Sequence, residues 1–380
     1  MNITLKSIPL KGKLTLPPSK SLLHRALICA YLSKNEFDLS SYEVSNDIFA
    51  TKHSLEDFEQ ESVVNCFESG STLRFLLPIA CALGLNITFI GDGRLPERPL
   101  TAYLREFSKK GITFDGDKLP LKVSGQLQPG EYNIEGNISS QFISGLFFAL
   151  PLLNGDSKII VTEPHESKPY SNMTLACLRK CGIEILEDGN TYTIKGNQTY
   201  QWNNIDIEGD FSQAAFFLTA NYLGSDIKFT NLPKNSSQGD NKIIEILEEL
   251  KQNNISEINC TDVPDLVPIL AVACCFAKKN IIINGAERLK IKESNRLAAI
   301  TKNLNDIGGK ITLYPDGLKI EPIEYFRGGI VDSYNDHRIA MSSAIAAQKS
   351  LYPITILNAE CVGKSYPSFW DEIYRLKYEQ

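Results

Sequence analysis

Several short clusters in this 380-residue chain combine cations, hydroxyls and glycine in ways that suit an anionic ligand. In Pro17 to Arg25, PPSKSLLHR, a helix start places Lys20 and Ser21 in its first turn and Arg25 one turn further along the same side. Unpaired first-turn N–H groups and the positive end of the helix dipole favour an anion there, so the segment can grip a carboxylate or a phosphate. An ordinary capped helix with solvated cations accounts for it equally well when it is taken alone. Ser69 to Arg74, SGSTLR, offers unobstructed backbone at Gly70 and a guanidinium in the first turn. It lacks the GxxxxGK[ST] phosphate-loop pattern, so nucleotide binding is not implied, and a plain glycine turn is the simpler reading in isolation. Arg98 stands just before a helical turn that Pro99 is suited to open. Ser139, Ser140 and Gln141 supply two hydroxyls and an amide at another helix start, and Ser167 to Tyr170 form a further polar loop. Each alone is more often a cap or surface turn; together they can line a polyhydroxylated anion.

Carboxylates that could trade protons stand in a second set of clusters. Asp265 lies just before an apolar helical run, and Lys292, Glu293 and Arg296 give a carboxylate flanked by cations. Such groups can exchange protons with a substrate once a site positions them. The plain alternatives are an N-cap for Asp265 and a solvated helical charge cluster for Lys292 to Arg296. Asn335, Asp336, His337 and Arg338 precede another apolar run, and four consecutive side chains point in different directions. Arg338 is the ligand candidate, Asp336 a cap or orienting partner, and His337 a structural hydrogen-bonder. Gly363 and Lys364 add a last cation in a loop before the terminal helix.

These clusters fall at the starts of apolar runs of helical composition, near Ser19, Ser69, Ser139, Gly209, Pro264 and Asn335. The spacing of roughly 50 to 70 residues exceeds the solenoid period of roughly 20–50. The runs Ala26 to Leu32, Phe75 to Leu83, Phe142 to Leu153, Ala214 to Leu223, Leu266 to Ala277 and Ile339 to Ala347 are apolar nearly all round and predict buried helices. Amphipathic segments at Leu100 to Lys110, Met173 to Cys181, Ile243 to Lys251 and Arg296 to Ile307 predict outer helices, three of them closed by Gly111, Gly182 or Gly308. Alternating segments such as Lys158 to Thr162, Tyr192 to Lys195, Lys228 to Asn231, Asn280 to Asn284 and Ile354 to Asn358 predict strands. The repeated unit is a buried helix, an outer helix and several strands. The first and fourth units are short by a strand pair, because Ser62 to Cys66 and Ser256 to Cys260 follow the outer helix almost at once. Pro17 and Pro18, and the stretch Pro233 to Gly239, are the hinge candidates.

Length predicts two domains of roughly 100–200 residues each, and 43% apolar residues suffice to fill both cores. A net charge of -6 gives no long-range attraction to nucleic acid or to an anionic membrane, so an anion must be held by local cations. The opening segment MNITLKSIPLKGK lacks the apolar stretch of a signal peptide, and no window approaches the ~18 apolar residues of a membrane span, so a soluble cytoplasmic protein is expected. Nine scattered cysteines without a CxxC pair read as reduced core residues.

The clusters PPSKSLLHRAL, SGSTLR, ERP, SSQF, SKPY, EGD, SQGD, VPD, KESNR, YNDHR and VGKSYPSF occur in an order that resembles the 5-enolpyruvylshikimate-3-phosphate synthase family, and the match covers nearly the whole chain. The resemblance implies an α/β fold of two similar inside-out α/β barrel domains, each of three βαβαββ-type repeats whose buried helices aim their N-termini at the interdomain cleft. One domain is expected over residues 16–234, on the shikimate 3-phosphate side, and the other over 1–15 with 235–380. The family transfers the enolpyruvyl group of phosphoenolpyruvate to the 5-hydroxyl of shikimate 3-phosphate, in the shikimate pathway, releasing phosphate. No metal or organic cofactor is implied, and a monomer is expected. By position, Lys20, Ser21, Arg25, Ser139, Ser140, Gln141, Ser167, Tyr170, Asp265 and Lys292 resemble the shikimate 3-phosphate site. Lys20, Gly70, Arg98, Gln141, Arg296, Arg338 and Lys364 resemble the phosphoenolpyruvate site. Asp265 and Glu293 are the expected acid/base pair, Lys20 is a second candidate for proton traffic, and Lys364 is placed to protonate the departing phosphate. Gly70 keeps the small residue usual in members sensitive to glyphosate, the inhibitor known for the family.

Glu68 stands where the family usually has Asn and sets a negative charge beside a site for anions; Pro18 replaces a common Gly, and Asn295 a common Asp. The sister family acting on a UDP-sugar shares the fold, but commonly presents a reactive Cys in the loop that here reads GDGRLPERP, and no Cys occurs between Cys81 and Cys177. An RNA-end-processing enzyme of related repeats calls for a basic surface. A non-catalytic member of the fold has no need of Lys20, Arg98, Asp265, Glu293, Arg338 and Lys364 together.

Overall fold

The computed structural model describes residues 1–60 and 62–378, and all six apolar runs lie in buried helices. The α-helices are α1 (Lys20–Leu32), α2 (Asn46–Gln60), α3 (Gly70–Ala82), α4 (Thr101–Ser108), α5 (Ser140–Ala149), α6 (Lys168–Lys180), α7 (Phe211–Tyr222), α8 (Ile243–Gln252), α9 (Val267–Cys274), α10 (Arg296–Asp306), α11 (His337–Ala346) and α12 (Phe369–Tyr378). Every residue of α9 and α11 is buried, as their lack of a polar face requires. By contrast α8 buries Ile243, Ile246, Leu247 and Leu250, the spacing of a single apolar stripe. Short polar side chains start the buried helices: Ser69 accepts from Thr72 N on α3, Ser139 from Gln141 N on α5, Asp210 from Gln213 N on α7 and Asp336 from Arg338 N on α11.

Three four-stranded sheets share one topology, a parallel pair followed by two antiparallel strands. Val63–Asn65 and Ile87–Ile90 run parallel, then Leu121–Gly125 and Ile112–Asp115 follow antiparallel. The same order recurs from Glu131–Glu135 through Ser157–Thr162 and Thr191–Ile194 to Ile185–Asp188, and from Glu257–Asn259 through Ile281–Asn284 and Gly317–Ile320 to Ile311–Tyr314. The two short repeats carry the expected deficit. Among the described residues no antiparallel pair lies between α2 and Val63–Asn65, and the sheet of the fourth repeat is Lys11–Leu14 beside Asp226–Phe229. In the last repeat Ile3–Leu5, from the other end of the chain, pairs antiparallel with Ile354–Leu357. Each sheet presents one face to the core, as the alternation of buried Tyr132 and Ile134 with exposed Glu131 and Asn133 illustrates. Helices are inside and sheets outside, as expected, but among the described residues the small sheets remain separate and close no strand barrel.

The chain divides into an inserted unit, Lys20–Ile207, and a terminal unit, Met1–Ser19 with Glu208–Gln380. Each holds three of the six buried helices and its own apolar core. This differs from the expected boundaries: residues 16–19 and 208–234 lie in the terminal unit, not with 20–207. The reason is packing. Asp226–Phe229 pairs in register with Lys11–Leu14, while Phe211, Phe216 and Phe217 share a core with Leu14, Leu270 and Phe369. The Pro- and Ser-rich stretch Pro233 to Gly239 is therefore a loop within one unit. None of the nine cysteines is disulfide-bonded, and eight are buried. Among the described residues no helix is long and apolar enough to cross a membrane.

Candidate active site

In the inserted unit the starts of α1, α3, α5 and α6 carry the candidate ligands. Lys20, the first residue of α1, sets its Nζ 2.6 Å from Asp47 Oδ2 in the first turn of α2. Arg25 is buried and braces α1 against α6: Nη1 donates to Ser21 O at 2.6 Å, Nη2 to Tyr170 O at 2.9 Å and Nε to Thr174 Oγ1 at 2.8 Å. Burial lowers its pKa to about 10, which leaves the guanidinium charged at neutral pH. A chain of short hydrogen bonds joins the next helices, from His24 Nδ1 through Thr51 and Thr72 hydroxyls to Ser69 Oγ, at 2.7 Å each. Burial holds His24 near pKa 3, so this histidine is neutral and structural.

Gly70 lies under two guanidiniums. A Cβ there would overlap Arg98 Nη1 and come within 2.7 Å of Arg98 Cζ and 2.8 Å of Arg74 Nη1. Arg74 is steered by Gln141 Oε1 at 3.2 Å and Pro99 O at 3.2 Å, and Gln141 Nε2 donates to Ser71 Oγ at 2.8 Å. Gly145 permits the underlying approach of α3 and α5, since a Cβ there would overlap both Arg74 O and the Tyr103 hydroxyl. Glu68 packs its carboxylate against Gly93, whose φ of +56 needs glycine, so the unexpected charge lies on the loop leading to Arg98. Ser139 caps α5, Ser140 is its buried first residue, and Ser167 precedes α6 in a left-handed conformation, φ 54.

Three local readings need correction. The SKPY segment is the beginning of α6 and not a separate loop, because Pro169 is accommodated in a first helical turn, where its missing N–H costs nothing. Pro99 lies two residues ahead of α4, whose first residue is Thr101, while Arg98 ends the short turn Leu95–Glu97 with extended backbone. Asp265 is no N-cap: it sits within the 3₁₀ turn Pro264–Leu266 that leads into α9, and its carboxylate turns to cations.

The terminal unit gathers those cations and carboxylates into one array. Arg296, 2% exposed, donates from Nε to Asp336 Oδ2 at 2.7 Å, from Nη1 to Asp265 Oδ1 at 2.9 Å and from Nη2 to Glu293 Oε2 at 2.7 Å. Arg338 Nη2 reaches Asp265 Oδ2 at 3.0 Å, and Lys292 Nζ stands 3.7 Å from Asp265 Oδ1. The solvated-cluster alternative fails for Arg296, which is buried among carboxylates, while Lys292 and Glu293 are only half-buried. Burial disfavours the Asp265 carboxylate, but Arg338, Lys292 and Arg296 more than offset it and hold its pKa well below the usual range. Burial lowers Lys292 from 10.5 to about 8, with Asp265 opposing and Arg296 assisting. Lys364 is buried at the end of Ala359–Lys364, and Asn295 caps α10 by accepting from Ala298 N.

Four residues belong to these arrays without having been candidate ligands. Asp47 lies in an exposed-looking acidic stretch that carries no spacing signal. Arg74 was only a first-turn cation, and Asp336 proves to be both the cap of α11 and an anchor of Arg296. Asp240, in SQGD, is buried and accepts from Ser212 Oγ; burial and then the nearby Asp265 raise its pKa to about 6.

Repeated α/β units here bring cations and carboxylates to buried helix starts, an arrangement suited to small anions and to proton transfer. A sequence model for EPSP synthase (3-phosphoshikimate 1-carboxyvinyltransferase) matches residues 38–373. The chain belongs to this family. It is 42% identical over 414 aligned positions to the 3-phosphoshikimate 1-carboxyvinyltransferase of Clostridium kluyveri, covering 98% of this chain and 97% of that one. The enzyme of the same name from Clostridium perfringens is 41% identical, with 97% and 96% covered. A solved EPSP synthase from Acinetobacter baumannii, 22% identical, shares the fold with a TM-score of 0.79 over 99% of this chain and 98% of that chain.

Proposed function

We propose that the chain transfers the enolpyruvyl group of phosphoenolpyruvate to the 5-hydroxyl of shikimate 3-phosphate, with release of phosphate. The reaction is an addition followed by an elimination through a tetrahedral intermediate. The observation that carries this reading is the array of Asp265, Glu293, Lys292, Arg296 and Arg338. Both substrates bear a carboxylate and a phosphate, so a site for the pair needs cations matched to planar and tetrahedral anions. It also needs groups that deliver a proton to the methylene carbon and remove one from the hydroxyl.

In this reading Asp265 takes the hydroxyl proton, Glu293 and Lys20 serve the methylene carbon, and Lys364 protonates the departing phosphate. Ser21, Arg25, Ser139, Ser140, Gln141, Ser167, Tyr170 and Lys292 hold shikimate 3-phosphate; Gly70, Arg98, Arg296, Arg338 and Lys364 hold phosphoenolpyruvate. Lys20, Arg98, Ser139 and Ser140 come from the inserted unit, and Asp265, Glu293, Arg338 and Lys364 from the terminal one. The enzyme works as a cytoplasmic monomer. The test is to mix purified protein with both substrates and follow phosphate together with the mass of the enolpyruvyl product. Folded protein that releases no phosphate above background across the neutral pH range sinks the reading.

Two consequences can be measured on the same protein. Gly70→Ala pushes the flexible ends of Arg98 and Arg74 aside, so the fold survives while one charged contact is lost. At about 1.5–3 kcal/mol for a hydrogen bond to a charged group, the KM for phosphoenolpyruvate rises roughly 10–150-fold with little change in kcat. Lys292 gives a pH signature. Because its pKa is lowered on folding, the unfolded chain binds the extra proton between pH about 8 and 10.5, and this group's contribution to stability rises with pH there. Its charge moves the other way, so affinity for shikimate 3-phosphate falls above pH 8. Lys292→Arg keeps the charge and flattens that fall in a titration from pH 7 to 9.5.

A further inference from the structure

Two motifs, EGD at Glu208 to Asp210 and SQGD at Ser237 to Asp240, have no place in the substrate contacts proposed above. They meet around one buried amide. Gln238 uses its full side-chain capacity of two acceptor and two donor positions. Oε1 accepts from Ser19 Oγ at 3.0 Å and from Phe211 N at 3.0 Å, while Nε2 donates to Glu208 Oε1 at 2.7 Å and to Gly209 O at 2.9 Å. Ser19 is the last residue before the chain leaves the terminal unit, and Glu208 is the first after it returns.

The two crossing strands are also bonded to each other at this point. Ser19 N donates to Glu208 O at 2.9 Å, Asp210 N donates to Pro17 O at 3.0 Å, and Pro18 and Gly209 form an antiparallel bridge. Asn231 completes the junction by accepting from Leu16 N and donating to Leu16 O, both at 2.9 Å. The next residue after Ser19 is Lys20, and the next after Glu208 and Gly209 is Asp210, the cap of α7.

We infer that Gln238 is a positioning residue that fixes both crossings of the chain, and through Ser19 the start of α1 that carries Lys20. The chain's freedom at each crossing is thereby confined to the residues just beyond the clamp, Lys20 on one strand and Ile207 on the other. Its kinetic consequence rests on the enolpyruvyl-transfer reading; the clamp itself does not. No isosteric residue substitutes for the amide. A carboxylate at 238 loses both donations and faces Glu208, and an apolar side chain leaves four buried or half-buried groups without this partner.

The test compares wild type with Gln238→Ala and with Ser19→Ala, which removes only one of the four bonds, by hydrogen exchange and steady-state kinetics. In folded Gln238→Ala the amides of Ser19, Asp210 and Phe211 exchange at least tenfold faster, while those of Gly317–Ile320 are unchanged. Its kcat falls at least tenfold and the KM for either substrate moves less than threefold, since the backbone carrying Lys20 loosens at Ser19 while its pair with Asp47 and the other anion contacts remain. Ser19→Ala shows the same pattern at smaller size and decides the matter if Gln238→Ala does not fold. Unchanged exchange at the three amides, or unchanged kcat with accelerated exchange, overturns the inference. Absence of activity in wild type instead overturns the proposed reaction, and the exchange result then judges the clamp alone.

Discussion

Asp265→Asn is expected to lower turnover by about 10²–10⁴-fold, the range carried by a positioned acid or base. The KM values are not expected to rise. The substitution removes a negative charge that now occupies Arg338, Arg296 and Lys292, so anionic substrates meet cations that are less engaged. Without substrates Asp265 is a weak base, because the same cations hold its pKa low. Anionic substrates that draw on Arg338 and Lys292 return basicity to the carboxylate as they bind, which couples proton acceptance to a filled site. Single-turnover kinetics under saturating substrates checks this, and normal turnover in the variant removes Asp265 from the proton-acceptor role. The stability effect has a definite sign. A carboxylate with a lowered folded pKa stabilises above its unfolded value of about 3.9 and loses that contribution as pH falls through the folded value. The variant's stability is accordingly less sensitive to acid.

Arg296→Met carries the largest expected loss of stability. The guanidinium answers three carboxylates at once, Asp336, Asp265 and Glu293, and Asp336 is fully buried. Removing one partner of a buried ionic group costs about 3–5 kcal/mol, because the remaining charges stay desolvated without compensation. For a unit of this size that is a fall of roughly 6–20 °C in the melting transition. Calorimetry should show the loss in the terminal unit's transition with the inserted unit's transition unmoved. A loss below about 1 kcal/mol would mean that the three carboxylates are not held by this cation.

The elements were legible because burial leaves a periodic mark. The run at Phe75 to Leu83 is wholly apolar and that at Ile339 to Ala347 is broken only by Ser342 and Ser343, so both read as interior helices, and α8 announces its single stripe at Ile243, Ile246, Leu247 and Leu250. Residue types at helix starts likewise exposed Lys20, Gly70, Arg98, Asp265 and Arg296 as candidates. What stayed hidden was set by pairing across long sequence distances. Nothing local in Lys11–Leu14 names Asp226–Phe229 as its neighbour, so a local reading puts the second crossing after residue 234 and not at 207/208. Asp47 was missed for the same reason: its partner Lys20 is 27 residues away on another helix. The polar cluster from Lys292 to Arg296 has the composition of a solvated surface, and only Asp336, 40 residues on, explains why Arg296 is buried.

The pairing of Ile3–Leu5 with Ile354–Leu357 bears on how the protein is made. Ile3 lies opposite Ile356, so Ile3–Leu5 waits until Ile354–Leu357 has been made before its sheet can form. The span from Lys20 to Ile207 has all its own strand partners once its final residues emerge, and it can fold while the rest is still being translated. Synthesis therefore imposes an order of assembly, with residues 20–207 folded before Ile3–Leu5 has found its partner.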